Sequence, residues 1–139
     1  MEPRTADGPA LPIVAAADAP AMAAAGATLV IREWTDSGPS YLHVHRSDDE
    51  AWHVLEGTLR FRFRDREVDA PAGTTVFVPA GCAHTYRVAV EPCRYLIVLT
   101  PGLDRLIARL RTLPDRCHLR ATLAEFDTAI VEEEGTSSP

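Results

Sequence analysis

The sequence predicts an all-β domain, a sandwich or barrel, with a C-terminal helix packed outside it. Three observations carry this reading. Short apolar segments recur between residues 27 and 100, each ended by Gly, Pro or an acidic turn. Leu59, Phe61 and Phe63 alternate with Arg60, Arg62 and Arg64, the period of two of a strand with one buried and one wet face. After Pro101-Gly102 the period changes, and Leu103, Leu106, Ile107 and Leu110 recur at helical spacing.

Each element follows in order. Residues 1–25 are small and interrupted by Pro3, Gly8, Pro9, Pro12 and Pro20, and read as a flexible N-terminal arm. The barrel follows over 26–100. Strands are predicted over 27–34, 41–45 and 51–55, and another opens at Gly57. A turn at Asp65-Arg66 leads into 67–70, and Pro71-Ala72-Gly73 turns the chain into 74–78. Pro79-Ala80-Gly81 leads into 84–88, and 94–100 closes the series. Residues 101–131 form a helical segment: an amphipathic helix ended or kinked at Pro114, then a short helix around 121–126. The acidic residues 132–139 read as a disordered tail.

Composition narrows the function. The chain has 139 residues, 14 basic against 20 acidic, for a net charge of −6. It is 46% hydrophobic and 24% charged, the balance of one ordinary globular domain. The acidic excess argues against nucleic acid as a partner. No apolar run is long enough to span a bilayer. The Ala-rich stretch over 13–27 is broken by Asp18 and Pro20 and makes a poor signal peptide. Cys82, Cys93 and Cys117 form no CxxC pair and read as reduced thiols of a cytoplasmic protein. The sequence contains no Lys, Asn or Gln, so a site must be built from His, Asp, Glu, Ser, Thr, Tyr, Cys and Arg.

The histidines carry the chemistry. His43 and His45, at i and i+2 of a strand, project from one face. Glu50 follows the turn Arg46-Ser47-Asp48-Asp49, which can reverse the chain and return a carboxylate to that face. His84 comes directly after the Pro79-Ala80-Gly81 turn. Three imidazoles and a carboxylate suit a divalent transition metal such as Fe, Mn, Ni, Zn or Cu, with two positions of an octahedral ion left open. Asp48 and Asp49 compete with Glu50, which prevails by its spacing to Gly57 and its place at the start of a strand. The acidic pair reads as a solvated turn. Parity places His53 on the opposite, outer face from Glu50 unless a bulge intervenes.

At these residues the sequence resembles the cupin superfamily. Gly38, His43, His45, Glu50 and Gly57 match the first cupin motif, with a leading gap of four residues where five is usual. Gly73, Pro79, Gly81 and His84 match the second, G-x5-P-x-G-x2-H. The Asn that usually follows that His by four residues is Val88 here. In the family this Asn is not a metal ligand. The segment PGLDRLIARL resembles the Pro-Gly-then-helix piece that follows the barrel in many small bacterial cupins, some of them quercetinase-like. The resemblance implies a double-stranded β-helix, or jelly-roll, barrel holding a metal on His43, His45, Glu50 and His84. It also implies a homodimer paired through its sheets.

Strand parity puts Tyr41, Trp52, Tyr86 and Phe61 inside the barrel as pocket walls. Tyr41 or Tyr86 is expected to donate a hydrogen bond or proton to a small-molecule substrate, and Glu50 to act as base. Cys82 also falls on the inward side and reads as a packing residue. The first functional expectation is a metal-dependent oxidoreductase of dioxygenase type. The alternatives are a non-oxidative isomerase, cyclase or lyase on the same site, and a non-catalytic small-molecule-binding barrel. No nucleic acid or membrane is expected among its partners.

Overall fold

A computed structural model describes residues 12–16 and 21–132. Its strands are β1 (Ala23–Ala25), β2 (Val30–Trp34), β3 (His43–His45), β4 (Glu50–Arg62), β5 (Glu67–Pro71), β6 (Thr75–Val78), β7 (Thr85–Leu99) and β8 (Thr128–Ile130), with helices α1 (Pro101–Arg111) and α2 (Leu119–Glu125). The main sheet runs β1-β2-β7-β4-β5, with β6 also on β4, and every pairing is antiparallel. β3 pairs with β8, and a bridge between His43 and His84 ties this small sheet to the turn before β7.

Two long strands replace four predicted short ones. The reason is a bulge. Along β4 the inward side chains are Glu50, Trp52 and Val54 before Gly57, then Leu59 and Phe61 after it. Parity changes because the register against β7 shifts between Val54 and Leu59. Gly57 sits there at φ +75°, where an added Cβ would stand 2.3 Å from the Pro92 carbonyl oxygen. Only glycine fits such a position without strain. A break in alternation therefore looked like a strand end, although the ladder continues through it.

The boundaries move at both ends. Ala23–Ala25, placed by the sequence in the flexible arm, pairs with β2 because Ala24 and Ala25 lie opposite Ile31 and Val30. The segment expected to be helical to residue 131 ends instead in β8, whose backbone completes the ladder beside β3. Residues 1–11, 17–20 and 133–139 lie outside the described residues, and with them most of the predicted arm and tail.

The core is Trp52, Val54, Leu59, Phe61, Tyr95, Ile97 and Leu99, all buried between the curved sheet and α1. Helix α1 starts where Thr100 accepts a hydrogen bond from the Leu103 N–H, with Pro101 in its first turn. Its face carrying Leu103 and Leu106 is buried. Arg32 of β2 grips Asp104 through two hydrogen bonds, 2.6 and 2.9 Å, and fixes the helix against the sheet.

Candidate metal centre

Two short elements and one long strand deliver four side chains to one point. β3 turns His43 and His45 inward, β4 begins with Glu50, and the Pro79–Gly81 turn presents His84. Two aspartates hold the connections rather than merely facing solvent. Asp49 accepts from the Ala80 N–H at 2.8 Å, and Asp48 accepts from the Thr100 hydroxyl at 2.8 Å. One potential ligand atom from each of His43, His45, Glu50 and His84 lies within 4.8 Å of all the others, and all four residues are buried.

The outer ring nitrogens explain the inner ones. His84 Nδ1 donates to the Cys82 carbonyl oxygen at 2.9 Å. His45 Nδ1 lies 2.8 Å from the Thr128 hydroxyl, which donates to the Phe126 carbonyl oxygen, so the imidazole supplies the proton. His43 Nδ1 faces the Tyr41 carbonyl oxygen at 3.4 Å. With Nδ1 protonated, a neutral imidazole presents a bare Nε2. The Nε2 atoms of His45 and His84 lie 2.7 and 3.1 Å from one oxygen of Glu50. A lone pair against a carboxylate repels at that range, so either a proton on the ring or a shared cation must stand between them. Adjacent ligands of an ion bound at about 2.1 Å are about 3 Å apart. The donor set fits a first-row divalent metal held by His43, His45, Glu50 and His84.

Charge and burial shape the proton affinities. Burial lowers the pKa of His43 to about 3, helped by the neighbouring His84 and His45. Burial alone would raise that of Glu50, but hydrogen bonds from His45 and His84 outweigh it and hold the carboxyl at about 2. A carboxylate that stays ionised at Glu50 and an imidazole that resists protonation at His43 are states a metal requires.

Above the ligands opens a cavity of about 380 Å³. Tyr41, Trp52 and Tyr86 line it, as the parity of their strands implied, together with Trp34, Tyr95 and Ile97. Helices α1 and α2 complete the wall with Leu103, Leu106, Ile107, Leu110 and Leu123. The sequence showed that helix but not that it roofs the site. Phe61 is a correction: it does not line the cavity but packs against Trp52 and Tyr86, at 5.0 and 5.5 Å between ring centres.

Tyr86 also differs from expectation. The Tyr95 hydroxyl donates to the Asp36 carbonyl oxygen at 2.5 Å, so the 3.0 Å contact between the two tyrosines uses the Tyr86 proton. Tyr86 has lone pairs, and no proton, to offer a bound molecule. The buried Trp52 Nε1–H has no hydrogen-bond partner of good geometry, and the Tyr86 hydroxyl is the acceptor whose acidity it affects. Burial pushes the pKa of Tyr86 up to about 12. Tyr41, half-buried, is raised by burial against the opposing pull of Arg116.

The other sequence candidates fall elsewhere. His53 lies on the outer face, its Nδ1 2.7 Å from the Thr75 hydroxyl. Cys82 acts through its backbone oxygen on His84, and its thiol does not line the cavity. Thr128, which positions His45, went unseen because it stands 83 residues away in sequence with no motif around it. Tyr95 had a signal, sharing parity with Ile97 and Leu99. A second cluster, Asp115, Cys117 and His118, is exposed, and Asp115 there caps a 3-10 turn over Arg116–His118. No helix among the described residues is long and apolar enough to cross a membrane.

Residues 33–99 match the sequence model of a family described as the cupin domain. A cupin-2 domain containing protein from Shewanella frigidimarina is 28% identical, the alignment covering 57% of this chain and 78% of that one, with a TM-score of 0.49. The polyketide cyclase RemF from Streptomyces resistomycificus is 23% identical over 54% of this chain and 56% of that one, with a TM-score of 0.46. No curated protein matches the sequence.

Proposed function

We propose that this chain is a small cupin, residues 33–99 matching the sequence model of the cupin domain, and that it is a metal-dependent enzyme that oxidises a small, largely apolar organic molecule with molecular oxygen. What carries this reading is the convergence of three outward-anchored imidazoles and one ionised carboxylate at the floor of an apolar cavity. A divalent transition metal bound there supplies open coordination positions and redox or Lewis-acid chemistry.

The chain's own residues do the rest. Glu50, held ionised, accepts a hydrogen bond from an enolic or phenolic hydroxyl brought to the floor of the cavity. Tyr41 keeps its proton at neutral pH and donates a hydrogen bond to the substrate. Tyr86 accepts one and orients the molecule. The apolar wall excludes water, which strengthens each of these polar contacts.

Assembly and location belong to the same proposal. Ala24, Ile31, Val98, Ala51 and Phe77 stand in one cross-strand row on the outer face of the sheet, and Phe77 is 63% exposed. Such a row suits a homodimer, which light scattering would test. Three free cysteines suit the reducing cytoplasm.

The test is oxygen consumption by protein reconstituted with Fe(II), Mn(II), Ni(II), Cu(II) or Zn(II), against a panel of enols and phenols. Uptake that needs metal and vanishes in Glu50→Gln and His84→Ala is the expected result. Anaerobic turnover with Zn(II) or Ni(II) would replace oxidation by a lyase, isomerase or cyclase reaction. Binding without product would leave a ligand-binding barrel.

A further inference from the structure

The cavity has a charge at its upper wall as well as at its floor. Arg111, in the last turn of α1, is the only arginine lining it among the described residues. Its guanidinium carbon sits 4.9 Å from the centre of the Trp34 ring, which lines the same cavity. Stacking on an indole holds a guanidinium in place while leaving its N–H groups available in the ring plane's surroundings. No carboxylate among the described residues pairs with it, whereas Arg32, Arg60, Arg94, Arg109 and Arg120 all have acidic partners. Asp36, the other charged residue on this wall, acts on the hydroxyls of Tyr86 and Tyr95 and makes no ion pair with Arg111.

We infer that Arg111 is a specificity-determining residue that binds a carboxylate of the ligand, which is therefore an amphipathic anion. Its apolar body, aromatic or aliphatic, lies along Trp34, Ile107 and Leu110, and its other end reaches the metal-ligating residues. Arg111 is exposed, so it stands where the cavity meets solvent, and its planar fork of donors there favours a carboxylate over an uncharged isostere. The inference deepens the functional proposal by naming a substrate class and rests on the same cavity.

The experiment is calorimetric titration of the full-length protein with 3-phenylpropanoate and with 3-phenylpropanamide, which has the same shape and no charge. It is run on metal-loaded and on chelator-treated protein. The carboxylate is expected to bind about tenfold more tightly than the amide in both states. Arg111→Gln brings the two within about twofold, mainly by weakening the carboxylate. Arg111→Lys, which keeps the charge, retains more of the preference than Arg111→Gln. Equal binding of the two probes in wild type overturns the proposal. So does a preference that survives Arg111→Gln or disappears on chelation alone, because the anion then sits at the floor. Equal loss in the Lys and Gln variants removes charge as the cause. These readouts are independent of oxygen uptake. A carboxylate preference lost in Arg111→Gln with no oxygen uptake would retire oxidation and keep the anion site, and the converse result would do the reverse.

Discussion

His45 Nδ1 donates to the Thr128 hydroxyl across 2.8 Å, and that hydroxyl passes its own proton to the Phe126 carbonyl oxygen. One of the four ligands at the floor of the barrel is thus oriented from the last strand, through a chain of two hydrogen bonds. The order of protons along that chain leaves His45 Nε2 bare toward the centre, as a metal ligand must be.

Thr128→Val keeps the shape of the side chain and removes the acceptor. The His45 ring then loses its orientation, and metal affinity is expected to fall about tenfold. Thr128→Ser should preserve it. Competition against a chromophoric chelator measures both, and an unchanged affinity in the valine variant would show that the hydroxyl does not position His45.

Metal should also stabilise the fold, because the four ligands come together only in the native state. At free metal about a hundredfold above the dissociation constant, the gain is about 2.7 kcal/mol. Thermal unfolding with and without chelator reads this as a drop in Tm. In His84→Ala the chelator effect should shrink, since the remaining set lacks the ligand presented by the Pro79–Gly81 turn and binds metal more weakly. An undiminished chelator effect in that variant would place the ion elsewhere.

The metal-free protein should lose stability in acid. His43 is lowered from 6.5 to about 3 and Glu50 from 4.5 to about 2, so the unfolded chain takes up both protons first. Together the two shifts make the fold less stable in acid, the loss beginning below about pH 6.5 and reaching on the order of 8 kcal/mol by about pH 2. Urea midpoints from pH 7.5 down to pH 4 would show it. A flat profile would mean that neither group is shifted as the buried cluster implies.

Gly57 and Gly73 both have positive φ, at +75° and +90°, yet alanine should be tolerated differently. A Cβ at Gly57 would meet the Pro92 and Val90 carbonyl oxygens at 2.3 and 2.5 Å, while one at Gly73 meets nothing within 4 Å. Gly73→Ala should cost about 1 kcal/mol from backbone strain alone. Gly57→Ala should cost several times more, because the bulge that sets the parity of β4 must open. Similar losses for the two variants in chemical denaturation would remove the close approach as the reason for glycine at 57.

Much of this molecule was readable from local pattern. The spacing of His43, His45, Glu50 and His84, with glycines and prolines at the turns between them, depends on strand parity and turn chemistry, and both act over a few residues. The same holds for the face of α1 that carries Leu103 and Leu106. The merging of predicted short strands into β4 and β7 was hidden, because a bulge breaks alternation without breaking the ladder. Phe61 faces inward, as expected, but it packs on Trp52 and Tyr86 instead of lining the cavity, a matter of packing and not of parity.

The convergence of His43, His45, Glu50 and His84 could be read from the sequence alone, since each side chain's direction follows from its own strand or turn. What those ligands face was decided by the tertiary structure. Thr128 behind His45, the direction of the Tyr86 proton and the stacking of Arg111 on Trp34 each join segments far apart in the chain. Contacts of that kind arise from packing one element on another, and packing leaves no period in the sequence to read.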